Sequence, residues 1–226
     1  MPLSPSIPIS SRVPMLNRYH KDWSAPDVLA AALSGKGGKM AMVSSFGADS
    51  VVLLHMLAQV DRNAPVLFID TQMLFRATLT YQAEVADVLG LTNVQHISAD
   101  AGDVFLRDTE GLLHQGDTDA CCALRKVEPL QNALTDYDGW ISGRKRHQSA
   151  ARSVLNLWEQ DGDRVKLNPL FDWTHSDVQD YIANHDLPRH PLVAGGYPSL
   201  GCAPCTTRVA EGEDARAGRW RGQMPV

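Results

Sequence analysis

The apolar positions change period along the chain, and each change marks an element. Val28, Leu29 and Leu33 recur at helical spacing, with Ser24 placed to cap, Pro26 and Asp27 suited to the first turn and Gly35 to stop the helix. Residues 39–45 (KMAMVSS) read as a buried strand, Gly47 turns the chain, and residues 50–60 (SVVLLHMLAQV) return to a helical pattern. Residues 66–70 (VLFID) form a second short apolar run, followed by a helical pattern over 77–89 that Gly90 closes. Residues 94–98 and 140–142 read as further strands. Strands alternating with helices of this length predict right-handed crossovers, an α/β fold with a mostly parallel sheet, and ligands at the carboxyl ends of its strands.

Beyond Gly143 the pattern gives way to a basic loop. A strand-like run follows at 165–167, then a helix over 176–184 opened by Thr174, which with Asp177 has capping-box spacing. From Leu187 onward the chain is dense in Pro and Gly with little periodicity; a segment of that length is functional or disordered rather than a plain connection. Residues 1–20 read as a disordered Pro/Ser leader and residues 21–226 as a single domain with an irregular C-terminal segment. There is no internal repeat.

Composition narrows the class. The 226 residues are 44% hydrophobic and 21% charged, enough for one full core. Lys plus Arg is 21 against 26 for Asp plus Glu, a net charge of −5, which argues against nucleic acid as a partner. No apolar run approaches the roughly 20 residues of a membrane span, and the N-terminus lacks the features of a secretion signal. A cytoplasmic protein is expected. Its 4 cysteines then point to metal or redox chemistry rather than a disulfide framework.

Three groups of residues carry candidate chemistry. Ser44, Ser45, Phe46, Gly47, Ala48, Asp49 and Ser50 lie between a strand and a helix, where free amides and the positive end of the helix dipole suit a phosphate or sulfate; the plainer reading is that the serines only cap the helix. Asp70, leaving the second strand beside that turn, is placed for a ribose hydroxyl. Cys121 and Cys122 are adjacent, and Cys202 and Cys205 form a CxxC. Two neighbouring thiolates fit awkwardly around one tetrahedral zinc, whereas a cuboidal cluster offers them two irons, so the set favours [4Fe–4S] over structural zinc and over a redox CxxC. Lys126 follows the cysteine pair, Arg144 opens a basic run after the strand at 140–142, and Arg216 and Arg219 lie in the tail; in an acidic protein such a concentration suits a small polyanion, with solvated faces as the alternative. His55 and His175 read as structural, and Met40, Met42 and Met56 as core.

Taken together, SSFGADS, FIDT, CCALRKVEPL, ISGRKRHQS, NPLFDWT, GYPSLGCAPCTT and EDARAGRW resemble, in this order, the assimilatory adenylyl-sulfate reductases, the iron–sulfur branch of the adenylyl-sulfate and phosphoadenylyl-sulfate reductase family. The resemblance implies the adenine-nucleotide fold of the PP-loop enzymes. The ATP-cleaving relatives carry SGGKDS in the first turn, and Ala48 stands here where their lysine would be, which implies a nucleotide bound without pyrophosphate cleavage. It further implies that Cys121, Cys122, Cys202 and Cys205 ligate a [4Fe–4S] cluster, that residues 44–50 hold the nucleotide, and that Lys126, Arg144, Arg216 and Arg219 face the phosphosulfate.

The reaction it implies is reduction of adenosine 5′-phosphosulfate to sulfite and AMP with thioredoxin, through a cysteine thiolate that attacks sulfur. The family's nucleophile lies in a KTECG-like segment after the GRW motif, and the 226 residues hold no cysteine after Cys205. The catalytic residue is therefore unassigned, and turnover by these residues alone is expected to be incomplete. A PP-loop ATP-dependent sulfurtransferase or pyrophosphatase, and a cluster-bearing module without turnover, are the alternatives. A homo-oligomer is compatible with the sequence.

Overall fold

A computed structural model describes residues 7–221. Its centre is a six-stranded sheet built from β1 (Met40–Ser44), β2 (Val66–Ile69), β3 (Val94–Ile97), β4 (Gly139–Ile141), β5 (Trp158–Asp161) and β6 (Arg164–Leu167), in the spatial order β3-β2-β1-β4-β6-β5. Every pairing is parallel except β5 with β6, an antiparallel hairpin at the edge. The order runs outward from β1 in both directions, so the carboxyl ends of β1 and β4 flank the point where the winding reverses, the ordinary place for a ligand in such sheets. β4 packs so tightly that a Cβ on Gly139 would lie 2.5 Å from Val165 and 2.6 Å from Met40.

The helices cover both faces. On one side lie α1 (Ile9–Tyr19), α2 (Ala25–Leu33), α3 (Ser50–Val60), α4 (Arg76–Leu89) and α9 (His175–Asn184), whose apolar residues share the larger core with Met40, Met42, Val66 and Phe68. Helix α3 buries Val51, Val52, Leu53, Leu54, Met56 and Leu57, which is why its pattern is apolar nearly all round. The signals at the ends are physical caps. Ser24 Oγ accepts from the Asp27 amide, Gly90 closes α4 at φ 66°, and Thr174 and Asp177 form a reciprocal capping box. On the other side a smaller core gathers Ala41, Leu67, Leu134, Tyr137 and Trp140 against Leu130 and Ala133 of α8 (Glu128–Ala133), which the chain reaches after α5 (Ala101–Arg107), α6 (Leu113–Gly116) and α7 (Thr118–Cys122).

The structure corrects the reading of residues 1–20 as a disordered leader. Residues 1–6 lie outside the described residues, but 9–19 form α1, with Leu16 and Arg12 buried. Asn17 explains its attachment: its amide donates to the Trp158 carbonyl at 2.8 Å and its Oδ1 accepts from the Trp158 amide at 2.9 Å, so one side chain occupies an otherwise unpaired stretch of β5. The Pro/Gly-dense segment is ordered too over its described residues, 187–221. It is pinned to α4 where Thr78 Oγ1 meets His190 Nε2 at 3.0 Å and where the Tyr81 hydroxyl donates to the Pro188 carbonyl at 2.8 Å. Among the described residues no helix is long and apolar enough to cross a membrane.

This pin predicts a pH dependence. The Leu192 amide donates to His190 Nδ1, so Nε2 carries the proton of the neutral ring, and a second proton would break that bond in a buried site. Burial pushes the pKa of His190 down to about 4. The unfolded chain, with an ordinary histidine near 6.5, then binds the extra proton first. The stabilisation is complete above about pH 6.5 and is lost as pH falls toward 4, amounting to about 3 kcal/mol. Urea unfolding at pH 7.5 and 5.0 should show about 2 kcal/mol of this loss, since pH 5.0 lies within the window, and H190N should lack a matching share of it; equal pH dependence in both proteins would sink the assignment.

Candidate functional site

At the carboxyl end of β1 the chain makes a tight turn into α3. Ser44 Oγ, buried, accepts from the Phe46 amide at 3.1 Å, and Phe46 takes a left-handed conformation at φ 47°. Its ring drops into the core edge-on to Phe68, with centroids 5.2 Å apart. Asp49 sits at the N-cap of α3 without a side-chain capping bond, so the dipole end of an eleven-residue helix opens toward what lies above it.

What lies above is a cavity of about 550 Å³. Its floor is the turn, through Ser44, Ser45, Gly47, Asp49 and Ser50; β4 continues into Ser142, Gly143, Arg144 and Lys145 on one wall, and Lys126, Arg152, Arg216, Arg219 and Trp220 close around it. Six lysines and arginines thus line it against two aspartates, Asp49 and Asp214. The cations crowd one another. The Arg152 pKa is pushed down to about 10 by burial and by the charges of Arg216, Arg144 and Arg219. Arg219 falls to about 10 by burial and the charge of Arg216, partly offset by the thiols of Cys202, Cys205 and Cys122. Its Nη1 donates to the Leu200 carbonyl at 2.6 Å and its guanidinium lies 4.4 Å from the Trp220 ring centre, while its buried Nε has no partner. A Cβ on Gly201 would come within 2.3 Å of Arg219, so the glycine makes room for the guanidinium. Positive charge held this close in partly desolvated surroundings has one ordinary use, which is to receive an anion.

Cys202 lines one edge of this cavity, and the other cysteines lie behind it on two segments of the chain. α7 runs into α8 through a wider π turn at Ala123–Val127, a distortion found mostly where a helix must re-aim side chains. Inside the turn Arg125 is buried: Nε and Nη2 donate to Asp108 Oδ2 at 3.0 and 2.7 Å, and Nη1 reaches the Thr71 carbonyl at 3.4 Å and Gln72 Oε1 at 3.2 Å. Thr71 Oγ1 lies 3.1 Å from Cys202 Sγ, and the backbone at Leu74 bridges to that at Cys202. The two cysteine segments, 80 residues apart in sequence, therefore converge on Thr71 at the end of β2. Burial pushes the Cys121 thiol up to about 11, with Cys122 and Cys202 adding to the effect and Arg125 opposing it. Lys126 Nζ stands 3.8 Å from Cys122 Sγ. The four thiols share a neighbourhood but do not close on one point: among the described residues no three His, Cys, Asp or Glu side chains are grouped to hold a single metal ion. Their donor set, an adjacent pair and a CxxC, supplies the four thiolates that a multi-iron cluster would need.

Two candidate residues lie elsewhere. Phe46 does not face the cavity, because the left-handed turn sends its ring into the core. Asp70 is absent from the lining, and its Oδ1 instead accepts from the Gln72 amide at 2.8 Å, bracing a turn in which Gln72 has φ 60°. Conversely, the sequence did not single out Lys145, Arg152 or Trp220. Lys145 and Arg146 are neighbours in one basic run, yet Lys145 turns to the cavity while Arg146 packs on the Phe171 ring and donates to the Leu155 carbonyl. Only the tertiary fold separates them.

Comparison with known proteins agrees with this geometry. A solved phosphoadenylyl-sulfate reductase from Candida auris, in a phosphate complex, superposes with a TM-score of 0.75 over 90% of this chain and 100% of that one; at 24% identity the likeness is one of fold. FMN adenylyltransferase from Candida glabrata superposes at 0.58 with 16% identity, over 79% of this chain and 62% of that one. In sequence, an adenosine 5′-phosphosulfate reductase of Mesorhizobium japonicum is 50% identical over 184 residues, 81% of this chain and 72% of the relative. A phosphoadenosine 5′-phosphosulfate reductase of Gloeobacter violaceus is 39% identical over 92% of this chain and 88% of the relative. The profile of the phosphoadenosine phosphosulfate reductase domain matches residues 39–208, the stretch that carries the turn, the cysteines and most of the cations, and the chain belongs to that family.

Proposed function

We propose that the protein takes part in cytoplasmic sulfate assimilation by reducing adenosine 5′-phosphosulfate to sulfite and AMP, with a thioredoxin dithiol as the electron donor. The observation that carries this reading is the cavity itself: an open helix N-terminus on one side, crowded arginines on the other, and Cys202 in its lining with the thiols of Cys122 and Cys205 near Arg219. Ala48 supports a sulfated nucleotide over ATP, since no lysine stands in the turn to meet a triphosphate.

In this reading the free backbone amides and serine hydroxyls of residues 44–50 receive the nucleotide phosphate, and Arg144, Arg152, Arg216 and Arg219 with Lys126 offset the charge that builds up as a thiolate approaches an anion. The thiolate sulfur forms a bond to the sulfate sulfur, the bond from that sulfur to the phosphate oxygen breaks, and AMP leaves with the electron pair. Thioredoxin then attacks the resulting S-sulfocysteine, becomes oxidised to its disulfide and releases sulfite. Cys121, Cys122, Cys202 and Cys205 would hold a [4Fe–4S] cluster; when bound, it fixes the two cysteine segments and adds an electrostatic element beside Lys126. With those four engaged, the attacking thiolate lies outside the set.

Lys126 tests the reading, because it lies between Cys122 and the cavity. A charge aimed at the sulfate contributes only where sulfate is present, so K126A should weaken adenosine 5′-phosphosulfate by roughly 10- to 100-fold, the equivalent of about 1.5–3 kcal/mol, and leave AMP nearly unchanged. Calorimetric titration of both ligands checks it. Equal losses would place Lys126 at the shared phosphate or in the fold.

A further inference from the structure

We infer that Lys145 is a positioning residue that keeps the cavity receptive to anions by cancelling the carboxylate of Asp49, without touching the ligand itself. The inference rests on the cavity being the anion site described above.

Asp49 stands where a carboxylate is least welcome. It lines the cavity at the N-cap of α3, and its side chain makes no capping bond, so its charge faces the cavity without saturating the helix amides. Left alone, it would repel an incoming phosphate and offset the positive helix end at the same time. Lys145 reaches across from the segment after β4. Its Nζ lies 3.2 Å from Asp49 Oδ2 and 3.4 Å from the Gly143 carbonyl, and the residue is 1% exposed. The pair joins residues 96 apart in sequence and ties the floor of the cavity to its wall.

Burying an ammonium in the company of Arg152 is unfavourable, and burial does lower the pKa of Lys145, with Asp49 pulling the other way. The other cations of the lining have other partners: Lys126 meets Cys122 Sγ, Arg152 donates to Gln148 Oε1, Arg216 donates to Ser199 Oγ and lies by the Trp220 ring, and Arg219 donates to the Leu200 carbonyl and stacks on the same ring. None of the lining arginines makes an ion pair, and Lys145 alone is spent on a carboxylate there. Its charge is thus consumed before any ligand arrives. What it contributes to binding is the removal of a repulsion.

The test is a charge cycle on the intact chain, titrated with adenosine 5′-phosphosulfate and with AMP. K145M should weaken both ligands at least tenfold, since both place a phosphate at the same helix end, and K145R should keep most of the affinity. Removing the partner charge as well, in K145M/D49N, should bring both back to within about threefold of wild type. A double variant that stays as weak as K145M means Lys145 contacts the ligand, and a K145M protein that binds like wild type means its charge is not needed; either overturns the inference. If K145M does not fold, as judged by circular dichroism, the comparison of wild type, D49N and K145M/D49N decides in its place: D49N at least as tight as wild type and the double variant within threefold support it, and a double variant more than tenfold weaker overturns it. Wild-type protein that binds neither ligand overturns the reading of the cavity and this inference with it, whereas wild-type binding without recovery in the double variant overturns the inference alone.

Discussion

R125M is expected to lose about 3–5 kcal/mol of stability and, with it, the iron that the wild-type protein should carry, because one guanidinium holds the fold and both cysteine segments together. Arg125 is 5% exposed, and its partner Asp108 is 6% exposed, so removing the arginine leaves a carboxylate buried without its counter-ion. Burial pushes the Asp108 carboxyl up, yet the Leu113 amide and Arg125 together outweigh it and hold the pKa below the usual carboxylate range. A depressed carboxyl pKa contributes stability that is present above the unfolded value near 3.9 and lost below it, so at pH 7 the whole of that contribution is at stake.

The same guanidinium bonds the Thr71 carbonyl, and Thr71 in turn meets Cys202, so the variant also uncouples the two cysteine segments. Urea unfolding measures the first effect; iron and acid-labile sulfide in anaerobically purified protein measure the second. R125M/D108L, which replaces the pair by apolar groups, should regain most of the stability without regaining the iron. A single variant within 1 kcal/mol of wild type and fully loaded with iron would show that neither role is real.

The elements that were legible in the sequence are those whose signal is local. Ser24 with Asp27, Gly90, and Thr174 with Asp177 announce helix ends by bonds made within a few residues, and the run from Ser50 to Val60 is apolar all round because it is sandwiched between the sheet and other helices. Elements that depend on distant partners gave no such signal. α1 carries an internal Pro14 and is held by Asn17 on an edge strand 141 residues away. β5, with the sequence WEQD, lies at that edge and alternates too briefly to stand out. α5 buries none of its residues, so it has no apolar stripe to detect.

The site divides in the same way. The cysteines and the SSFGADS turn were visible as motifs, and the turn and Cys202 share one cavity. The direction in which Phe46 and Asp70 point, and the choice of Lys145 over Arg146, are set by backbone conformation and packing that residue type alone does not encode.

The 226 residues, loaded with iron and by themselves, are expected to bind adenosine 5′-phosphosulfate and yet form no S-sulfonate and release no sulfite with thioredoxin. Covalent transfer needs a thiolate that can approach the sulfate sulfur, and each of the four cysteines present is poorly suited to supply one. Cys121 is buried with its thiol pushed up to about 11, and Cys205 is buried as well. Cys202 Sγ is engaged with Thr71. Cys122 is the strongest competitor: it is half-buried and has Lys126 Nζ 3.8 Å away. Iron would commit its lone pairs along with those of the other three. Losing the nucleophile from a concerted set costs several orders of magnitude in rate rather than a fraction of it. Supplying a thiolate from an added cysteine-bearing segment after Val226 should then restore turnover, while substitution of Cys122 by serine should reduce iron content. Intact-mass spectrometry of the iron-loaded protein after incubation with the substrate decides the matter. A sulfonate on Cys122 that thioredoxin removes would make that thiol the nucleophile and take it out of the cluster's ligand set.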